Sequence, residues 1–193
     1  PYSTVFVDEA NATGAPDGEI LLTPNATTLV SCWGTAEDLD GYVNLLEINA
    51  SFYAQSSNRD APADTLVSYK NNSCDLSDLK INGEWNCTFP VQFYAENSTW
   101  TCAINVTDFD GVSNSSINTT TDILDLVALE VHNKSIDFGT KAVGTNESTH
   151  LEVLVYNEGN VELDIRLDAF NSSSNFEDNS NQSFNCSIGY IPV

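Results

Sequence analysis

The chain has no methionine, only 6 lysines and arginines, and 2 histidines. Against 28 aspartates and glutamates, those six cations leave a formal net charge of −22 at pH 7. A surface of that sign repels nucleic acid and anionic lipid, so neither is an expected partner. It favours solubility, divalent cations or a cationic partner. No stretch approaches the ~20 apolar residues of a helical membrane span, so no direct membrane span is expected in these residues. No apolar h-region follows Pro1, so any signal peptide is expected to be removed or to lie upstream. There is no CxxC pair, and His132 and His150 are far in sequence from the five cysteines, which argues against zinc. Those two histidines are the only bases tuned near neutrality. No nucleophile elbow or metal signature accompanies them, so no enzyme activity is expected.

What is present points in one direction. The 193 residues suffice for one large domain or two of ordinary size, and a hydrophobic fraction of 41% is enough for sandwich cores. With 22 Asn and 37 Ser plus Thr, chance placement gives about 4 N-glycosylation sequons. The chain has 14, at Asn11, Asn25, Asn49, Asn71, Asn86, Asn97, Asn105, Asn114, Asn118, Asn133, Asn146, Asn171, Asn181 and Asn185. A halophile is also acidic, but here Asn, Ser and Thr carry most of the polarity. The excess implies a densely N-glycosylated chain outside the cell or at its surface, with covalent N-glycans. Cysteines in that setting read as disulfides.

Short runs of β character separated by turn residues recur, without a long helical period. Strands are expected at Tyr2–Val7, Glu19–Leu22, Leu29–Trp33, Tyr42–Tyr53, Thr65–Tyr69, from Cys87 onward and at Trp100–Val106. In Tyr42–Tyr53, Leu46, Ile48, Ala50 and Phe52 are expected inward, with Glu47, Asn49 and Ser51 outward. Cys74–Cys87 reads as a hairpin around Asn82-Gly83. Pro90 marks the strand after Cys87 as an edge or a bulge. In Trp100–Gly111, Cys102, Ile104 and Val106 face one way and Asn105 the other, before the acidic turn Asp108-Phe109-Asp110-Gly111.

The Ser/Thr/Asn-rich stretch after Gly111 is either a solvated edge strand or a linker, with a domain boundary near Thr121. Units 1–121 and 122–193 follow. The second restarts with Ile123–Val131 and continues through Ser135–Gly144, Thr149–Tyr156, the turn Asn157–Asn160 and Val161–Leu167. It is short for a closed sandwich, either cut at the end of the sequence or completed by a strand from elsewhere.

The expected fold class is all-β, two Ig-like β-sandwich domains in tandem. The segment SIDFGTKAVG…LEVLVYNEGNVELDI resembles the "IDFG…NxGN" Ig-like module of prokaryotic surface proteins. The frame Cys32…Trp100-Thr101-Cys102…Asp108-Phe109-Asp110-Gly111 is similar to an Ig-like or PKD-like surface domain, and the pair in tandem resembles large archaeal cell-surface proteins. The first unit departs from antibody-type domains in having no Trp on the strand after Cys32.

In that frame Cys32 and Cys102 form the bridge between sheets, and Cys74 and Cys87 staple the hairpin; Cys32–Cys87 with Cys74–Cys102 is the rival pairing. Cys186 is left for a cysteine past Val193 or one in another chain. The loops after the second and sixth strands lie at one end of an Ig-like sandwich. Asp38, Asp40, Asp108 and Asp110 could converge there on Ca²⁺, although Asp-x-Asp-Gly is also a good turn sequence. Trp33, Trp85, Trp100 and the seven tyrosines could present a sugar-binding face, or simply pack the core.

The leading functional expectation is a structural subunit of a glycosylated extracellular filament, pilus or surface layer, self-associating into a head-to-tail polymer or lattice. Donor-strand exchange of Tyr2–Val7 would close the incomplete sandwich. The alternatives are a cell-surface adhesin or binding module, and an accessory domain of a surface enzyme.

Overall fold

The computed structural model describes residues 2–10, 17–37, 45–78, 83–133, 140, 152–165 and 190–191. Among these there are thirteen strands and no helix, hence none long and apolar enough to cross a membrane. Nine strands build the first unit: β1 (Tyr2–Glu9), β2 (Glu19–Ile20), β3 (Thr27–Glu37), β4 (Leu45–Ala54), β5 (Ser68–Asn71), β6 (Asp75–Asp78), β7 (Glu84–Gln92), β8 (Thr99–Asp108) and β9 (Ser113–Ile123). Beyond them lie β10 (Leu129–Val131), β11 (Val155–Asn157), β12 (Leu163–Asp164) and β13 (Tyr190–Ile191).

The first unit is two sheets, ordered β1-β3-β7-β6 and β2-β9-β8-β4-β5. Every pairing is antiparallel except the short β2–β9 contact, which is parallel. This order is that of an immunoglobulin-type sandwich. Alternation explains which faces meet. On β7, Trp85, Cys87, Phe89 and Val91 are buried while Glu84, Asn86, Thr88 and Pro90 are exposed. On β8, Trp100, Cys102, Ile104 and Val106 are buried.

The centre of the core is aromatic. Phe52 packs on Phe89 at 5.6 Å between centroids and on Trp100 at 4.9 Å, and Tyr69 lies 5.8 Å from Trp100. Trp100 stands two residues before Cys102, and its Nε1–H donates to the Glu96 carbonyl at 2.8 Å. A tyrosine in that position makes the comparable bond in many immunoglobulin domains, so here an indole closes the corner. Where antibody-type domains place a Trp after the first cysteine, β4 supplies Phe52, opposite Cys102 in the register.

Cys32 on β3 is bridged to Cys102 on β8, joining the two sheets across 70 residues of sequence. Cys74 is bridged to Cys87 over 13 residues, closing the β6–β7 hairpin. Cys32 and Cys87 are direct cross-strand partners, yet each bonds elsewhere. The rival pairing is not the one in the structure.

Several local expectations shift. Leu46, expected inward, is 47% exposed, because a register irregularity between Leu45 and Glu47 turns Leu45 to the core instead. The strand expected at Thr65–Tyr69 begins only at Ser68. Thr65–Val67 form a turn in which the Asp64 side chain accepts from the Leu66 N–H at 3.0 Å and the Asp64 carbonyl from the Val67 N–H. Strand β7 lies inside its sheet, but β6 pairs with it only as far as Asn86. Pro90, opposite Leu29 of β3, therefore costs no ladder bond on the β6 side. The Ser/Thr/Asn-rich stretch is strand β9, not a linker. It runs to Ile123, which is buried in the same core as β3, β4, β7 and β8, so that core extends past Thr121.

In the second unit β10 pairs with β11 and β12 with β13, both antiparallel. Residues 134–139, 141–151 and 166–189 lie outside the described set, and with them most of the second expected sandwich.

Candidate functional site

The acidic turn serves the fold. Asp108 is 5% exposed; its Oδ1 accepts from the Val112 N–H at 2.8 Å, and its own N–H donates to the Val112 carbonyl at 3.1 Å. Gly111, at φ 78°, supplies the left-handed residue that the turn requires. Asp110 is exposed. Strand β4, in the other sheet from β3, begins at Leu45, the partner of Asp108, but Asp38 and Asp40 lie outside the described residues. Among the described residues no group of three or more His, Cys, Asp or Glu is placed to hold a metal. Of the two expected Ca²⁺ ligands that are described, Asp108 has one carboxylate oxygen committed to the turn.

The described sequon asparagines are all at least partly exposed. Among sequon asparagines whose side chains are described, Asn25, Asn86, Asn97 and Asn133 are exposed, and Asn49, Asn71 and Asn105 half-buried. They occupy both sheets and the segment after β10. Asn49 and Asn105 are direct cross-strand partners on the outer face of the five-stranded sheet. Asn97 Nδ2 donates to Asp125 Oδ1 at 2.6 Å, and Asn71 Nδ2 to the Thr88 carbonyl at 3.0 Å. The side chains of Asn114 and Asn118 are not among those described; nor are Asn11, Asn146, Asn171, Asn181, Asn185, Cys186 and His150. His132 is exposed beside Tyr156, edge to face at 5.9 Å.

Register brings together a group on the outer face of the four-stranded sheet that lies scattered along the sequence. Phe6 of β1 pairs with Trp33 of β3, and Trp33 pairs with Asn86 of β7. The rings of Phe6 and Trp33 lie 6.1 Å apart, and Phe6 is 46% exposed. Beside them a concavity of about 170 Å³ is lined by Glu9, Ala10, Ser31, Trp33 and Asn86. Glu9 Oε1 accepts from the Leu21 N–H at 2.6 Å, and Asp8 Oδ1 from the Glu9 N–H at 2.9 Å. Burial, with the neighbouring Asp8 carboxyl, pushes the Glu9 carboxyl above its ordinary pKa.

A second group fixes the Asn157–Asn160 turn against the segment after β9. Asn160 is buried, with Oδ1 accepting from the Leu126 N–H at 2.7 Å and Nδ2 donating to the carbonyls of Ala95 and Leu124 at 3.1 Å each. Main-chain bonds from Glu158 to Ala128 and from Asn160 to Leu126 run alongside. Gly159 is required there, since a Cβ would lie 1.9 Å from the Leu126 carbonyl oxygen. The sequence marks Asn157–Asn160 only as a turn. Neither its docking role nor the Phe6–Trp33–Asn86 row has a local signal, because both depend on which strands become neighbours.

No protein-family model matches the sequence, and no curated protein does. A solved structure similar to this chain is the soluble domain of PmoD from Methylocystis sp. ATCC 49242 (Rockwell), with a TM-score of 0.40 and 11% identity over 63% of this chain and 90% of that one. That likeness is too slight to inform function. What the structure defines is an all-β, disulfide-bonded chain whose first unit is an immunoglobulin-type sandwich.

Proposed function

We propose that the chain is a structural subunit of a glycosylated extracellular filament, pilus or surface layer, without catalytic activity of its own. The observation that carries this reading is the position of the described acceptor asparagines. All are at least partly exposed, and they spread over both sheets of a sandwich locked by two disulfides. Sugar distributed over every face suits a protein permanently exposed to its surroundings; a dedicated binding face would leave one side clear. The resemblance to tandem Ig-like domains of archaeal surface proteins supports the same reading.

Assembly by donor strands takes a specific form. Strand β1 pairs with β3 over eight positions of its own chain. Donation of Tyr2–Val7 to the incomplete second sandwich of the next copy, the form expected from the sequence, has to release it from β3. With that pairing in place, donation is instead an exchange in which β3 of one copy accepts β1 of the next in the same register, extending an open, head-to-tail series. Electron microscopy of the native material tests the reading. Filaments or a lattice, with sequons modified by mass spectrometry, are the expected result. Dispersed monomers with unmodified asparagines would refute it. A cell-surface binding module is the second reading, favoured by the exposed Phe6 ring beside the half-buried Trp33.

A further inference from the structure

The Phe6–Trp33 pair is an apolar surface on the outer face of the four-stranded sheet, and a sequon asparagine stands directly beside it. Cross-strand partners in an antiparallel sheet have Cβ atoms about 5 Å apart on the same face. The Asn86 amide therefore sits within one sugar ring of the Trp33 indole. Asn86 is exposed, and Thr88 completes its sequon two residues on, on the same face of β7.

We infer that the first sugar of the N-glycan on Asn86 lies on the Phe6–Trp33 surface and makes that glycan part of the folded four-stranded face. The inference rests on the glycoprotein reading. Three observations support it. The aromatic face is electron-rich and attracts the weakly positive C–H face of a pyranose, as it attracts ring edges. The adjoining concavity, about 170 Å³, has room for a sugar ring and is lined by Trp33 and Asn86 themselves. Its other walls include Ser31 and Glu9, a hydroxyl and a carboxylate that can bond sugar hydroxyls. An attached sugar also has a high effective concentration, so a weak stacking contact is populated without a dedicated pocket.

The three tryptophans provide a built-in readout. Trp85 is 3% exposed and Trp100 is fully buried, whereas Trp33 is half-buried, so collisional quenching by acrylamide reports chiefly on Trp33. In the glycosylated protein, Asn86→Gln is expected to increase quenching and lower Tm by about 4 °C. In a Trp33→Ala background the Asn86→Gln shift in Tm should vanish, and in Trp33→Phe, which keeps an aromatic platform, it should largely persist. Quenching unchanged by Asn86→Gln, or an equal Tm shift in the Trp33→Ala background, would overturn the inference. Glycopeptide mapping separates this failure from that of the underlying reading. A bare Asn86 among modified sequons refutes only the seat on Trp33, whereas no modification anywhere refutes both.

Discussion

Replacing Asn160 with alanine tests how the Asn157–Asn160 turn is held to the segment after β9 and to Ala95. The side chain is 4% exposed and makes three hydrogen bonds, to the Leu126 N–H and to the carbonyls of Ala95 and Leu124. Truncation leaves the Leu126 donor without this acceptor, at about 1–3 kcal/mol. The two carbonyls lose neutral bonds worth about 1 kcal/mol each, and bonds sharing one side chain do not add fully. The expected loss is therefore about 3 kcal/mol, read by urea unfolding, with faster hydrogen exchange at Leu126. Asn160→Asp adds a sign. It places a carboxylate oxygen against the Ala95 and Leu124 carbonyls, which disfavours the charged form and raises the folded pKa above the unfolded value. The folded state then binds protons more readily than the unfolded one, so the penalty is greatest at neutral pH and shrinks as pH falls towards about 4. Gly159→Ala should damage the same contact through overlap with the Leu126 carbonyl. A loss below about 1 kcal/mol in Asn160→Ala, under the low end of the cost of leaving the Leu126 donor unpaired, with Leu126 exchange unchanged, would contradict this account.

Three further outcomes follow from the core. Trp100→Phe should cost about 1 kcal/mol more than Trp85→Phe, since the Trp100 Nε1–H has the Glu96 carbonyl as acceptor and the Trp85 Nε1–H has none among the described residues; equal losses in denaturant titrations would count against the corner bond. Removing the Cys32–Cys102 bridge by double alanine substitution should cost about 4 kcal/mol and removing Cys74–Cys87 about 3 kcal/mol, from their loop lengths, and a reversed order in chemical unfolding would contradict that account. Burial pushes the Tyr69 hydroxyl, which donates to the Thr65 carbonyl and accepts from the Gln92 N–H, up to about 12. Its contribution to stability is full below the unfolded phenol value of about 10 and is lost as pH rises through the folded one; an ultraviolet titration should show a step near 12 that Tyr69→Phe removes.

The class of fold and much of the strand pattern are legible in the amino-acid order alone. Alternation from Cys87 onward and along Trp100–Val106 marked the buried faces, because a period of two follows from strand geometry whatever the partner. The sequon count is likewise a property of the chain alone, and the surface positions of the described acceptors are compatible with it. Tertiary structure decided what depends on neighbours. Leu46 looked inward by alternation, and only the pairing of β4 with β8 placed the irregularity that turns it out. Cys32 had two candidate partners by sequence; the sandwich bonds it to Cys102 across the core although Cys87 stands beside it. Phe6, Trp33 and Asn86 became one row, and Asn160 a clamp on Ala95 and Leu126, only when residues far apart in sequence were brought together. Periodicity is local and survives in one dimension. Register and cross-sheet contact are not, so the chain carries them without displaying them.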